Sequence, residues 1–339
     1  MKIYNIALIG CGMISKSHIR SIAMLPNAKI VAVADCIATK AKQAGEKCGS
    51  PWFSSAEEML NDVPEIDVCL LALPTYIHPG MVEICARHKK AVLCEKPISM
   101  DAAGAERIYA AVQEYGIPYM TAQVVRFWTG YCEIKQMMDA GEFGDIYLSY
   151  FSRCSERQVW DNFWLYDPLN GGGAMFDMLV HDVDYMNYLF GPAKQVYTLA
   201  SKDETGCYDN VFANITYENG VKAVAETAFN MHNGFPFSMY AKIMGTKATA
   251  ELVYSAGYDI NQRDGASAEL RIFRDEQLPE IIKLEQYDAY AAETAYFLDC
   301  IEKNKKPEVI TLEQSVDVMR TMVAIKQSAD SGEIVTIKR

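Results

Sequence analysis

The chain opens with an apolar run that leads into a glycine turn and then into a helix. Ile3 to Ile9 is rich in strand-forming residues, and a helix is predicted from the turn to about Leu25. The turn itself reads Gly10-Cys11-Gly12-Met13-Ile14-Ser15. Gly10 permits a tight bend, and Gly12 lets the backbone approach a pyrophosphate, which the first N–H groups of the helix would hold. This order predicts a dinucleotide-binding turn; an ordinary glycine turn is the alternative, and Ser15 replaces the usual third glycine.

Strands and helices alternate regularly after this turn. Helical segments separate the next buried strands, which are Lys29–Ala34, Ile66–Leu73, Ala91–Cys94 and Pro118–Gln123. Such alternation predicts parallel pairing with right-handed crossovers, the pattern of a doubly wound α/β sheet. Ligands bind beyond the carboxyl ends of the strands in a sheet of this kind. We therefore predict a Rossmann-type domain over residues 1–123, with its ligand edge after these strands.

Asp35 comes directly after the second strand. It stands at about the spacing from the glycines at which an acidic residue hydrogen-bonds the ribose hydroxyls of NAD. Its charge would repel a 2′-phosphate, and Cys36, Ile37 and Ala38 offer no arginine to bind one. The alternative is a cap for the following helix. Together with the glycines, Asp35 predicts NAD rather than NADP as the cofactor.

Further candidates follow the later strands at the same predicted edge. The candidate cofactor contacts there are Leu73, Pro74, Thr75, His78, Glu95, Lys96 and Gln123. Lys96 ends a buried strand, because Pro97 has no N–H to continue the ladder, and low-dielectric surroundings can tune a lysine pKa. His78 is assigned to the cofactor side, with a cap or loop contact as the alternative. Arg126 leaves the last strand at this edge and predicts either a substrate or cofactor contact or an interdomain salt bridge.

The pattern changes in the second half of the chain. Consecutive strands follow with little helix between them, at 146–152, 194–201, 210–217, 221–229, 237–244, 248–254 and 270–273. Glu218-Asn219-Gly220 is a type I′ hairpin signal between two of them. This predicts an α+β domain over residues 124–339 with a large, mainly antiparallel open sheet. Its C-terminal helix is expected to pack back on the first domain. The length of 339 residues also favours two domains.

One predicted helix interrupts this series of strands, from Gly171 to Phe190. Asp177 and His181 lie four residues apart on it, so a continuous helix would place them on one face, and a carboxylate beside a histidine orients a general base. A solvated surface pair is the alternative. Three glycines precede Asp177 and allow another backbone or a ligand to approach closely.

Composition excludes several other classes. The net charge of −12 argues against a nucleic-acid partner, and no apolar run approaches the roughly 20 residues of a membrane helix. The ten cysteines are scattered without a C-x-x-C pair, so neither a metal site nor a redox motif is indicated. A chain that starts directly with a strand and has such cysteines is expected in the cytoplasm.

Four features together resemble one known family. They are Gly10-x-Gly12, Glu95-Lys96-Pro97, Arg126 and the triple glycine before Asp177-x-x-x-His181. Their order and spacing are similar to those of the glucose–fructose oxidoreductase / inositol dehydrogenase / MocA family. The resemblance runs the whole length of the chain. It implies hydride transfer at a nicotinamide, catalytic roles for Lys96, Asp177 and His181, His78 near the cofactor, and a homodimer or homotetramer formed sheet to sheet.

The resemblance also implies a small polyhydroxylated substrate, either a sugar, a sugar derivative or a cyclitol such as inositol. Arg126, Trp164 and His232 are the candidate substrate contacts, with Trp160 and Asn162 as further candidates for the pocket. Two other functions stay open. A regulatory protein could bind NAD without chemistry, or an enzyme could use tightly bound NAD transiently for C–O cleavage or epimerisation.

Overall fold

A computed structural model describes residues 2–157, 163–255 and 267–339. Its contacts divide the chain into two compact units. The first comprises Met1–Phe127 and Asp288–Val316, and the second comprises Trp128–Tyr287 and Asp317–Arg339. The first unit is therefore discontinuous in sequence, because the chain leaves it after Phe127 and returns at Asp288. Trp160 and Asn162 lie outside the described residues.

The first unit is built on a parallel sheet. In chain order its elements are β1 (Tyr4–Ile9), α1 (Met13–Ile22), β2 (Ala28–Ala34), α2 (Ala38–Cys48), β3 (Trp52–Phe53), α3 (Ala56–Asp62), β4 (Val68–Leu71), α4 (His78–Arg87), β5 (Ala91–Glu95), α5 (Ala102–Tyr115) and β6 (Tyr119–Ala122). The strands pair in parallel in the order β3-β2-β1-β4-β5-β6. The chain reverses direction across the sheet between β1 and β4. The predicted doubly wound sheet is confirmed.

Local sequence explains why these elements form where they do. Every residue of β4 and β5 is buried, as expected for strands covered on both faces. Asp101 caps α5 by accepting a hydrogen bond from the Gly104 N–H at 2.7 Å. Gly116, at φ +63°, ends that helix in the left-handed conformation.

The second unit contains a nine-stranded sheet. The elements that follow β6 along the chain are α6 (Tyr131–Asp139), β7 (Ile146–Glu156), α7 (Gly173–Asp177), α8 (Leu179–Phe190), β8 (Ala193–Lys202), β9 (Tyr208–Tyr217), β10 (Lys222–Met231), β11 (Ser238–Gly245), β12 (Thr249–Ser255), β13 (Ser267–Phe273), β14 (Glu280–Ile282), α9 (Ala289–Glu302), α10 (Leu312–Ser331) and β15 (Val335–Thr336). Of these, α9 belongs to the first unit, and α10 begins in the first unit and ends in the second. The strand order is β14-β13-β12-β11-β7-β10-β9-β8-β15. Pairing is antiparallel throughout the described strands except between β7 and β10, so the prediction of a mainly antiparallel sheet is confirmed.

Helices α7 and α8 cover one face of this sheet. The α7 helix packs on β9 and β10, and α8 packs on β7 and β10. A buried ion pair joins α8 to the centre of the sheet, because the Arg153 guanidinium donates two hydrogen bonds to the Asp182 carboxylate at 2.9 and 3.0 Å. The prediction of one helix from Gly171 to Phe190 is wrong. The helix is interrupted at Met178, so Asp177 ends α7 and His181 lies in the first turn of α8.

The opposite face of the sheet carries exposed apolar side chains. Leu199 pairs with Phe212 across β8 and β9, and both side chains are exposed, as is Val253 on β12. Tyr150 donates a hydrogen bond to Glu226 on the same face, and Tyr240 donates one to Glu251 at 2.7 Å. No helix among the described residues is long and apolar enough to cross a membrane.

Candidate active site

The predicted cofactor residues gather at the carboxyl edge of the first unit's sheet. Each follows or ends one of five neighbouring parallel strands, and the set comprises Gly10, Cys11, Gly12, Met13, Ile14, Asp35, Leu73, Pro74, Thr75, His78, Glu95, Lys96 and Gln123. The centre of the set is the gap between β1 and β4, where successive crossovers lie on opposite sides. This switch point is where open α/β sheets bind their ligands.

The glycine turn leaves the start of α1 open. Gly10 has φ +95°, and a Cβ there would lie 2.2 Å from the Ala72 carbonyl oxygen, so no other residue fits. Gly12 precedes α1, and apart from Gly12 and its two chain neighbours no heavy atom of the described residues lies within 4 Å of where its Cβ would be. Gly12 is the N-cap residue of α1 and has no side chain to cap the helix start. Ser15 is buried and donates its hydroxyl to the Gly12 carbonyl at 2.5 Å, which accommodates the departure from glycine.

Asp35 holds the glycine turn against the end of β2. One carboxylate oxygen accepts the Cys11 N–H at 2.8 Å, and the other accepts the Ile37 N–H at 2.8 Å. Each oxygen keeps a lone pair for a further donor. Burial, followed by the charge of Asp35, raises the pKa of the Cys11 thiol to about 12, so this cysteine is a thiol at neutral pH.

His78 bridges two backbone segments rather than standing open at the edge. Its ring is fully buried, with Nδ1 2.9 Å from the Pro97 carbonyl oxygen and Nε2 2.9 Å from the Leu73 carbonyl oxygen. Burial lowers the pKa of His78, although both carbonyls favour its protonated form. The ring therefore lies between the segment after β4 and the turn after β5, and in its neutral form it donates to one of the two carbonyls. These are loop contacts, and a position of His78 beside the cofactor stays a prediction.

Glu95 points into the first unit. Its side chain is buried, and Oε1 lies 2.7 Å from Nε2 of the fully buried His18 on α1. Its Oε2 accepts the Lys96 backbone N–H at 3.1 Å. Burial acts to raise the pKa of Glu95, but the hydrogen bond and charge of His18 and the charge of Lys96 outweigh it, so the pKa lies below its ordinary value. Sequence reasoning missed His18; its only signal was a histidine on the apolar face of a sheet-packed helix.

Gln123 and Arg126 follow the last strand and differ in their surroundings. Gln123 is 2% exposed, and its side-chain carbonyl oxygen has no hydrogen-bond partner within the described chain. Arg126 is buried and donates to the Val309 carbonyl and, at 2.6 Å, to Oε1 of Gln314, both in the first unit. This clamp accounts for the position of Arg126, and its contact with a substrate stays a prediction.

The remaining predicted residues belong to the second unit. Asp177 and His181 are half-buried at the junction of α7 and α8. Trp164 packs against a small cluster that includes Met178 from this junction. His232 is exposed in the loop between β10 and β11.

A polar cluster lies beside the α7 helix. Arg157 stacks on the Tyr166 ring at 4.4 Å and pairs with Asp203 at 2.9 Å. Asp209 is buried near Gly173, and burial, followed by the charge of Asp203, raises its pKa to about 6. Sequence reasoning did not single out Asp209, because it reads as an ordinary residue at the start of a strand.

The observed edge fits a dinucleotide. The uncapped start of α1 and the open space above Gly12 suit a pyrophosphate, which needs free N–H groups and close backbone approach. The Asp35 carboxylate suits ribose hydroxyls, and the buried Gln123 oxygen lacks a donor that an amide could supply. No group of three or more metal-ligating side chains occurs among the described residues.

The fold and this edge define an oxidoreductase with an NAD-binding Rossmann domain. Residues 4–123 match the family described as "Oxidoreductase family, NAD-binding Rossmann fold", and residues 131–251 match the "GFO/IDH/MocA C-terminal domain". The chain belongs to the GFO/IDH/MocA family of oxidoreductases.

Relatives of the chain are similar over nearly its whole length. An uncharacterized oxidoreductase, YrbE of Bacillus subtilis, is 28% identical, over 98% of this chain and 96% of the relative. A scyllo-inositol 2-dehydrogenase (NAD+) of the same organism is 23% identical, over 92% and 90%. An oxidoreductase from Desulfitobacterium hafniense, whose suggested cofactor is NADPH, has a TM-score of 0.89 at 21% identity over 99% and 98%. A levoglucosan dehydrogenase in complex with NADH has a TM-score of 0.86 at 20% identity over 100% of each chain.

Proposed function

We propose that the protein is an NAD-dependent dehydrogenase that transfers hydride between a nicotinamide and a secondary hydroxyl or keto group of a sugar, sugar derivative or cyclitol. The observation that carries the proposal is the carboxyl edge of the first unit, where an open helix start, Asp35 and Lys96 follow neighbouring parallel strands. Family membership supports the redox chemistry, and relatives named for inositol and levoglucosan support the substrate class.

Three side chains are assigned the proton chemistry. Bound NAD would supply the hydride acceptor. His181 takes the hydroxyl proton, and Asp177 orients its imidazole and stabilises the charged form. Lys96 donates a hydrogen bond to the reacting oxygen and stabilises the charge that develops there. Trp164 and His232 are proposed to line the substrate pocket.

The binding of the cofactor is assigned to the edge residues. The first N–H groups of α1 would hold the pyrophosphate, Asp35 the adenosine ribose, and Gln123 an amide donor. The carboxylate of Asp35 favours NAD over NADP, because a 2′-phosphate would meet a negative charge that already accepts two backbone N–H groups.

The proposal extends to domains and assembly. The dinucleotide-binding domain is assigned to residues 1–123 and the substrate and assembly domain to 124–339. The exposed face around Leu199, Phe212 and Val253 favours a homodimer or homotetramer formed sheet to sheet.

A screen of inositols and aldoses with NAD+ tests this function by the appearance of NADH absorbance. The same screen with Lys96→Ala and His181→Ala controls for contaminating dehydrogenases, since both variants should lose most of the activity. Product analysis separates the alternatives: an unoxidised, rearranged product without NADH release indicates transient use of NAD. NADH binding without turnover of any polyol would indicate a regulatory protein and overturn the proposal.

A further inference from the structure

Two buried histidines contact the residues that flank Lys96 in the chain. On one side, His18 contacts Glu95 at 2.7 Å, and Glu95 accepts the Lys96 N–H at 3.1 Å with its other oxygen. On the other side, His78 contacts the carbonyl oxygen of Pro97, the next residue, at 2.9 Å. Both histidine rings are 0% exposed. The peptide unit before Lys96 is thus held by His18 through the Glu95 carboxylate, and the peptide unit after Pro97 is contacted directly by His78.

Each histidine also belongs to a segment of the candidate cofactor site. His18 lies on α1, whose first turn is the proposed pyrophosphate site, and His78 contacts the Leu73 carbonyl in the segment after β4 at 2.9 Å. The contacts of His18 therefore connect Lys96 to α1, and the contacts of His78 connect Pro97 to the segment after β4.

The surroundings make the His18–Glu95 contact difficult to lose. The Glu95 carboxylate is buried and keeps its charge only with its partners, because an unpaired buried charge is strongly disfavoured. The His18 ring is fixed on its other side by an edge-to-face contact with Tyr290, at 5.3 Å between ring centres. The carboxylate therefore has one orientation, with its second oxygen toward the Lys96 N–H.

We propose that His18 and His78 are positioning residues that set the place of Lys96 at the carboxyl edge of the sheet. They act through the backbone on either side of it and link its position to the two cofactor-binding segments. The proposal rests on the proposed role of Lys96 in hydride transfer. It assigns neither histidine a contact with substrate or with NAD.

A double-mutant cycle tests this role. His18→Leu removes the donor to Glu95, and a displacement of Lys96 of about 1 Å should lower kcat by about 10²-fold. In a Lys96→Ala background the same substitution should change kcat little, because the group being positioned is absent. His18→Gln retains an N–H donor and should restore most of the activity. His88→Gln, at the end of α4, is the matched control and should leave kcat unchanged.

A second readout needs neither substrate nor NAD. Acetylation of lysine amines by sulfosuccinimidyl acetate, followed by peptide mass spectrometry, measures the reactivity of Lys96. His18→Leu should change the labelling rate of Lys96 several-fold, while Lys40 and Lys47 on α2 serve as internal references and should not change. If His18→Leu does not fold, His78→Leu supports the same cycle and labelling, because it releases the backbone on the other side.

The outcomes separate the two proposals. If Lys96→Ala leaves kcat unchanged, the proposed function itself fails. Lys96→Ala could lower kcat while the histidine substitutions lower kcat by the same factor with and without Lys96. The histidines would then act on general stability, and the positioning role would be overturned. Unchanged labelling of Lys96 in both histidine variants would overturn it as well.

Discussion

Asp35→Ala should relax the preference of the protein for NAD over NADP. The structure gives the wild-type carboxylate two tasks, since it accepts the Cys11 and Ile37 N–H groups at 2.8 Å each and retains lone pairs for a ribose. Alanine removes the ribose contacts and the negative charge that disfavours a 2′-phosphate. It also removes the two bonds that tie the glycine turn to the end of β2. The substitution should therefore weaken NADH binding and leave NADPH binding equal or tighter.

The magnitude follows from the hydrogen bonds that are lost. A hydrogen bond to a charged group contributes about 1.5–3 kcal/mol, so the loss of one ribose contact should raise the NADH dissociation constant by about 10-fold to 10²-fold. Asp35→Asn should be intermediate, because its amide keeps one acceptor oxygen but presents an NH2 group to one of the two backbone donors. Cys36→Ala, at the exposed neighbouring position, should leave both constants unchanged.

Fluorescence titration with NADH and NADPH measures both constants directly. The ratio of the two is the informative quantity, because a general loosening of the glycine turn would weaken both dinucleotides alike. Tighter binding of NADPH than of NADH by the wild-type protein would refute the role of Asp35. So would an Asp35→Ala variant whose ratio is unchanged.

Four further predictions concern the second unit. His181→Ala should lower kcat by about 10² to 10⁴, the range for losing a general base, with NADH affinity unchanged in a fluorescence titration. Phe212→Glu should reduce the mass found by light scattering, because it places a charge on the exposed sheet face. Asp182→Ala should lower the free energy of unfolding in urea by about 3–5 kcal/mol, because it leaves Arg153 buried without its carboxylate. Asp209→Asn should raise the free energy of unfolding at neutral pH and flatten its dependence on pH. Burial raises the pKa of Asp209 to about 6 in the folded protein. The stability that comes from protonated Asp209 is therefore fully present below the pKa of the unfolded chain and is lost as the pH rises through 6.

Each of these has an outcome that contradicts it. Near-normal turnover in His181→Ala would make the Asp177–His181 pair a surface feature. A wild-type protein that is a monomer at micromolar concentration would remove the basis for Phe212→Glu. The double variant Arg153→Met, Asp182→Leu should be close to wild type in stability. If it loses as much free energy of unfolding as Asp182→Ala does, packing rather than the uncompensated charge causes the effect. A wild-type stability that is constant between pH 4 and 7 would contradict the assignment to Asp209.

The sequence was sufficient for the architecture of the first unit. Its glycine turn and its buried strands depend on local preferences and are found where they were predicted, whereas the two-residue edge strand β3 was not predicted. The interruption at Met178 was not predicted, because the apolar periodicity of residues 171–190 continues across it. The predicted type of the turn at Glu218–Gly220 was also wrong. A type I′ turn needs two residues with positive φ, and in this turn only Gly220 has a positive φ, of +90°.

Contacts between distant segments were the part that sequence could not supply. The parallel pairing of β7 with β10 brings together strands separated by two others, and no local pattern encodes that choice. Likewise, a histidine in a helix and a glutamate at a strand end have ordinary sequence contexts, so the His18–Glu95 pair became visible only in three dimensions. The roles of Lys96, Asp177 and His181 rest on the family resemblance and stay predictions.

The discontinuity of the first unit has a consequence for how the protein is made. Phe297, Leu298 and Ile310 belong to the same apolar core as Tyr4 and Ile6 at the other end of the chain. Asp288, which accepts the Ser21 hydroxyl at 2.7 Å, is also synthesised long after its partner. While the residues of the large sheet are being synthesised, the N-terminal sheet still lacks the residues that complete its apolar core. A gene fragment that ends after Phe127 should therefore yield an aggregation-prone product, whereas one fused to residues 288–316 through a short linker should not.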